Sequence, residues 1–166
     1  MEAGDCDIAA ASITITDERE ENIDFSEGYF SGDQSLLADS GSGIATLADL
    51  SGKNLGVQTS TTGEQYANEN ASDATIISFE NPGDLITALN AGELDAVLQD
   101  IVTNGDAALN NDNLVLLEVY KTDEFYGFAV KEEGAEDILS AVNAALAKVR
   151  DDGTYDSIFD EFFPTG

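Results

Sequence analysis

The sequence contains no histidine and only one cysteine among its 166 residues. Without an imidazole there is no base for a histidine-dependent catalytic triad, and zinc sites built on histidine or cysteine are excluded. Cys6 cannot form an internal disulfide, and we interpret it as a small apolar residue at the start of a strand. Acid–base chemistry would depend on Asp, Glu, Tyr or Lys. We predict no metal and no cofactor.

Positive charge is also scarce, with 6 basic residues against 34 acidic ones and a net charge of -28. Nucleic acids and anionic membranes are bound through Lys and Arg, so this composition argues against both partners. The acids are spread along the chain, which favours a generally acidic surface suited to high salt over a specific cation partner. Apolar runs are too short for a membrane span, and Met1 is followed by no recognisable export signal.

The stretch Gly92–Asp100 is the part of the chain around which the other predicted elements are organised. Its apolar centre, Ala96-Val97-Leu98, is followed by Gln99 and Asp100. This pattern predicts a buried parallel strand with a carboxylate at its carboxyl end, where ligands bind in open α/β sheets. Alternatively, Asp100 caps the helix predicted from Ile101. The stretch alone leaves both alternatives open.

The middle of the chain alternates between predicted strands and helices. Thr61 and Glu64 have the spacing of a capping box, so a helix should begin there with N–H groups able to receive an anion. Pro82, after Asn81, predicts the start of the next helix. The predicted strands are Leu55–Gln58, Thr75–Phe79, the stretch ending at Asp100, and Leu114–Val119. Such alternation indicates parallel strands with right-handed crossovers.

The two ends of the chain are less regular. Asp7–Thr16 predicts a strand, and Arg19 after it is either a surface ion pair or a bidentate clamp for a carboxylate. Asp24–Phe30 predicts a packed loop, and Ser35–Ala38 a short strand. Near the carboxyl end, Tyr126–Val130 predicts a strand followed by two helices. The second helix carries an apolar stripe that should belong to a core: Tyr155, Ile158, Phe159, Phe162 and Phe163.

Several motifs, taken in order, resemble the polar amino-acid solute-binding proteins of ABC transporters, which are type II periplasmic binding proteins. The resemblance runs from about Gly4 to Phe163. The motifs are Thr14–Arg19 with Asp24-Phe25-Ser26, Leu47–Lys53, Thr61-Thr62, Ala88–Asp100, Tyr126-Gly127 and Asp152–Tyr155. It implies a two-lobed α/β fold that captures a free amino acid between its lobes for an ABC importer. It also implies a permease partner, a periplasmic or extracellular location and no enzymatic activity.

The resemblance further implies a set of ligand-binding residues. Arg19 would grip the ligand α-carboxylate with Thr14 and the backbone near Ser12, and Thr62 beside Thr61 would complete that site. Asp100 would take the α-ammonium group. Gln99 is a weaker candidate for contact with the ligand side chain. The residue types agree with these roles, because an arginine fork and a helix N-terminus suit a carboxylate and an acid suits an ammonium group.

By the same resemblance, residues 37–120 form a complete lobe two, a doubly wound mixed sheet of four parallel strands and one antiparallel strand. Residues 1–36 and 121–166 form an incomplete lobe one, because family members begin with further strand–helix units. We therefore expect the terminal helices to lack cover, so that the chain self-associates through residues 121–166 or packs them onto the Asp7–Thr16 strand. Two alternatives remain: a truncated fragment that binds nothing, and a cyclohexadienyl-dehydratase-like enzyme. The sequence does not identify the amino acid.

Overall fold

The computed structural model describes residues 6–132 and 134–162; Phe163 and Met1–Asp5 lie outside the described residues. The strands are β1 (Ile8–Thr14), β2 (Ile23–Phe25), β3 (Phe30–Ser31), β4 (Gln34–Asp39), β5 (Asn54–Gln58), β6 (Thr75–Phe79), β7 (Ala96–Asp100), β8 (Leu114–Tyr120) and β9 (Phe125–Lys131). The helices are α1 (Asp17–Glu20), α2 (Thr62–Asn70), α3 (Pro82–Asn90), α4 (Ile101–Leu109), α5 (Glu136–Asp151) and α6 (Thr154–Phe162), with a 3-10 turn at Leu47–Leu50.

The chain divides into two compact units. Unit one comprises the residues up to Ser31 and from Phe125 onward, and unit two comprises Gly32–Glu124. Unit two contains a five-stranded sheet in the order β6-β5-β7-β4-β8. Strand β5 pairs in parallel with β6 and β7, whereas β4 is antiparallel to both β7 and β8. The predicted sheet of four parallel strands and one antiparallel strand is confirmed.

The core of unit two follows from the apolar runs in its strands. Leu55 and Leu98 are fully buried with Ala67 of α2 on one face of the sheet. Val97 is buried with Leu85 of α3 on the other face. Because side chains of a strand alternate between faces, a run that is apolar throughout requires cover on both. Burying each large apolar side chain stabilises the fold by about 1.5–3 kcal/mol, and the helices provide that cover.

Unit one is built around β9. Strand β1 pairs with β9, as do β2 and β3, and all three pairings are antiparallel. The packed loop predicted at Asp24–Phe30 is wrong in part, because its ends belong to β2 and β3. Those two strands are only three and two residues long. Their pairing with β9 joins residues about 100 positions apart, and no local pattern could reveal it.

Helices α5 and α6 of unit one are covered unequally. Val142 and Leu146 of α5 line an apolar groove of about 300 Å³ with Ile8 and Phe128 of the sheet. On α6, by contrast, part of the stripe predicted to belong to a core is exposed among the described residues, at 52% for Ile158 and 69% for Phe162. Two members of the stripe do have cover on the sheet side. The Tyr155 hydroxyl donates to the Tyr29 carbonyl at 2.7 Å, and Phe159 stacks on Phe30.

Within residues 6–132 and 134–162, no helix is long and apolar enough to cross a bilayer.

Candidate functional site

The central residue of the candidate site is Asp100, at the carboxyl end of β7. It occupies the N-cap position of α4, yet its side chain makes no capping hydrogen bond. Instead its Oδ1 accepts a hydrogen bond of 2.7 Å from Nε2 of Gln34. The two residues lie directly opposite each other in the antiparallel pairing of β4 and β7. Of the two alternatives for Asp100, the structure therefore disfavours capping.

Gln34 links Asp100 to two further side chains. Its own side chain is fully buried, and its Nε2 lies 3.3 Å from Thr62 Oγ1 and 3.5 Å from both carboxylate oxygens of Glu124. The Thr62 hydroxyl donates to Glu124 Oε2 at 2.6 Å. The structure thus joins two predicted site residues, Asp100 and Thr62, through two that the sequence analysis missed. Nothing in the local sequence around Gln34 or Glu124 indicates this proximity.

Helix α2 begins as the capping box predicted. Thr61 Oγ1 accepts from the Glu64 N–H at 3.2 Å, but the Glu64 carboxylate accepts from the Ser60 N–H at 2.8 Å rather than from that of Thr61. Its other oxygen accepts a hydrogen bond from the Ser78 hydroxyl. The Ser78 bond, followed by the Ser60 bond, lowers the pKa of Glu64 below its ordinary value. A charged carboxylate therefore holds the loop that leads into α2.

The first turn of α2 lies close to the sheet. A Cβ on Gly63 would approach Gln34 Oε1 to 2.7 Å, so a larger residue here would force the Gln34 side chain to shift. Thr62 and Gly63 are the first two residues of α2, where backbone N–H groups have no carbonyl of the same helix to bond. Gln34 Oε1 is buried without a partner in the described chain. N–H groups at a helix N-terminus are suited to binding an anion.

Gln99 is separated from this cluster. Neighbouring residues of a strand face opposite sides of the sheet, and Gln99 pairs with Ser35 whereas Asp100 pairs with Gln34. Gln99 is 6% exposed, and its Oε1 has no partner among the residues described. Asn104 of α4 donates to the Ser35 carbonyl at 3.0 Å on that side. This hydrogen bond between Asn104 and Ser35, next to Gln99, anchors α4 to the sheet.

In unit one the structure brings Arg19 and Thr14 together. Arg19 Nη1 donates to the Thr14 carbonyl at 2.8 Å, and the Arg19 N–H donates to Thr16 Oγ1 at 3.2 Å, which caps α1. Thr14 is buried, whereas Ser12 is exposed at a bulge in β1 and has a positive φ of 50°. The guanidinium is thereby held at the end of β1. No group of three or more His, Cys, Asp or Glu in the described parts of the chain is arranged to hold a metal ion.

Comparison with known proteins gives one family and close structural neighbours. The model of the "Bacterial extracellular solute-binding proteins, family 3" matches residues 1–165. The ABC transporter glutamine-binding protein of Bacillus subtilis (strain 168) is 39% identical over 161 residues, which are 96% of this chain and 58% of that protein. The chain spans only about three fifths of the length of such curated relatives.

Two solved structures extend the comparison. An ancestral arginine-binding protein bound to glutamine has a TM-score of 0.87 and 32% identity, covering 97% of this chain and 72% of that one. An ancestral amino-acid-binding protein, described as a precursor of cyclohexadienyl dehydratase, has a TM-score of 0.87 and 32% identity, covering 97% and 70%. Both likenesses extend over almost the whole of this chain.

Proposed function

The chain belongs to the bacterial extracellular solute-binding proteins of family 3, and from this premise we propose that it binds a free amino acid and delivers it to an ABC importer. The names of its relatives support an amino-acid ligand, since they include a glutamine-binding protein of an ABC transporter and an ancestral arginine-binding protein. We propose an ABC transporter permease as its partner and a periplasmic or extracellular location.

The observation that carries this proposal is the position of the Asp100 carboxylate and its hydrogen bond to Gln34. Its carboxylate ends a buried strand at the edge of the sheet where ligands bind in α/β folds. It is held by the amide of Gln34 and does not cap α4. A carboxylate fixed in this way is suited to a strong, charge-assisted hydrogen bond with an ammonium group. We assign Asp100 to the ligand α-ammonium.

Opposite charge is provided for the α-carboxylate. In unit two, Thr62 and the N–H groups at the start of α2 are suited to an anion, with Thr61 capping the helix. In unit one, we assign Arg19 to the same carboxylate, with Thr14 and Ser12 beside it, because a guanidinium fork matches a carboxylate in two parallel hydrogen bonds. The contact of Arg19 with the Thr14 carbonyl supports this role by orienting the fork. Gln99 stays a weaker candidate for contact with the ligand side chain.

We propose that unit one and unit two correspond to the two lobes of the family. The enzyme alternative is disfavoured: the family members are solute-binding proteins, and the neighbour related to cyclohexadienyl dehydratase is itself described as an amino-acid-binding protein.

We also propose that the acidic surface suits high salt and that the chain self-associates through unit one. Exposed Ile158 and Phe162 support self-association. Light scattering in molar KCl should give a mass that rises with concentration; a constant monomer mass would contradict it.

A calorimetric titration with each of the twenty amino acids in molar KCl tests the function. We expect at least one amino acid to bind. Asp100→Asn should weaken the binding of that amino acid by about 1.5–3 kcal/mol, because the ammonium group loses its charged partner. Arg19→Lys should weaken it as well, since a point charge does not replace a fork. Asp112→Asn removes the same charge from an exposed position of unit two and serves as the control. Absence of binding by the unmodified protein would contradict the proposal.

A further inference from the structure

We infer that Gln34 is a positioning residue for ligand binding: its side-chain amide holds the Asp100 carboxylate in place for the α-ammonium group and couples it to Thr62. This inference rests on the proposed function. The sequence motifs do not identify Gln34. The charges of a free amino acid do not predict it either, because Gln34 would act on the ligand through its neighbours.

The geometry of the amide supports this role. The Nε2 atom has two hydrogens, and its shortest contact is the 2.7 Å hydrogen bond to Asp100 Oδ1. The same nitrogen lies 3.3 Å from Thr62 Oγ1 and 3.5 Å from both carboxylate oxygens of Glu124. The Gln34 amide nitrogen thus connects Asp100, the proposed partner of the α-ammonium group, with Thr62, a proposed partner of the α-carboxylate. These contacts join β4, β7 and the start of α2 within unit two.

The surroundings of Gln34 keep its amide in one orientation. Its side chain is fully buried, and Oε1 lies against Gly63 at the start of α2. Reversing the amide would place the carbonyl oxygen next to the carboxylates of Asp100 and Glu124, where it could donate nothing. Electrostatics therefore fixes Nε2 toward the carboxylates, even though Oε1 is left without a partner among the residues described. A buried polar atom without a partner costs free energy, which is unexpected for a residue that serves only packing.

A neutral amide suits this task better than a cation would. A lysine or arginine at this place would neutralise Asp100 and compete with the ligand ammonium for it. The amide donates a hydrogen bond and leaves the negative charge available. Fixing the carboxylate beforehand also lowers the entropy lost when the ligand binds.

A double-mutant cycle on ligand affinity tests the inference. With the amino acid identified by the screen, Gln34→Met should weaken binding about 10- to 100-fold, as expected for a lost hydrogen bond to a charged group. In the Asp100→Asn background the same substitution should weaken binding less than about threefold, because no carboxylate remains to be positioned. Equal losses in the two backgrounds would overturn the inference, since general damage to unit two would act on both. Gln65→Met, on the outer face of α2, is the matched control.

A second cycle needs no ligand and keeps the inference separate from the proposed function. The unfolding equilibrium is measured for the unmodified protein, Gln34→Met, Asp100→Asn and the double variant. We expect the two substitutions to be coupled by about tenfold in the unfolding constant. Additive effects would show that Gln34 does not hold Asp100. If no amino acid binds while the coupling is present, the proposed function fails and the contact stands; the positioning role for a ligand then falls with the function.

Discussion

Thr62 has one hydroxyl proton, and Glu124 accepts it at 2.6 Å. We propose the same hydroxyl for the ligand α-carboxylate, so ligand binding has to displace the Glu124 side chain or share the site with a second negative charge. Either event costs free energy, because like charges placed side by side repel each other. Glu124 thus acts against the ligand at this position, whereas Gln34 acts in favour of it at Asp100.

Glu124→Gln is therefore expected to increase the affinity of the protein for its amino acid about three- to tenfold, since it removes the competing charge. Isothermal calorimetry of the variant measures the change directly. Glu80→Gln removes one exposed charge from the same unit and should leave the affinity unchanged. A weaker affinity for Glu124→Gln would show that the carboxylate assists binding and would contradict this account of Thr62.

At the scale of single elements, the start of α2 depends on Glu64. Its carboxylate is charged in the folded state at neutral pH and joins Ser60 and Ser78. Because these hydrogen bonds lower its pKa in the folded state, the stabilisation is fully present above the unfolded pKa near 4.5 and is lost as the pH falls through the lower folded value.

Replacing this carboxylate should change both the stability and its pH dependence. We expect Glu64→Gln to destabilise the protein by about 0.5–1 kcal/mol at neutral pH, a modest loss because the group is largely solvated. As the pH falls below the unfolded pKa of 4.5, the difference between variant and parent should shrink. Urea unfolding at several pH values between 3 and 7 gives both quantities, with Glu93→Gln as the control. A difference that stays constant with pH would rule out a role for the Glu64 charge.

How far the sequence predicts these elements depends on the range of the interactions that form them. The strands of unit two are predicted because each contains a short apolar stretch close to turn residues, as in Ala96–Leu98. Strands β2 and β3 were missed because they exist only through their pairing with β9. Gln34 was missed for the same reason: only the register between β4 and β7 places it opposite Asp100. Asp100 itself was ambiguous because capping and ligand binding select the same residue type.

At the scale of the whole molecule, the net charge of -28 is large for 166 residues. Repulsion between the acids destabilises the compact state, and salt relieves it by shortening the Debye length from about 30 Å at 0.01 M to about 3 Å at 1 M. The melting temperature should therefore rise as KCl is increased over that range. Scanning calorimetry at constant protein concentration measures it, with light scattering to identify any part of the rise that comes from association through unit one. A flat or falling curve would contradict adaptation to salt.

We propose that the protein recognises both charged ends of one amino acid. Calorimetry of three compounds with the same side chain tests it most directly: the amino acid itself, the amine that lacks its carboxylate and the acid that lacks its ammonium group. We predict that the amino acid binds and that each analogue binds at least about 100-fold more weakly, because each leaves a fixed charge of the protein without its partner. Binding of either analogue as tightly as the amino acid would contradict the claim.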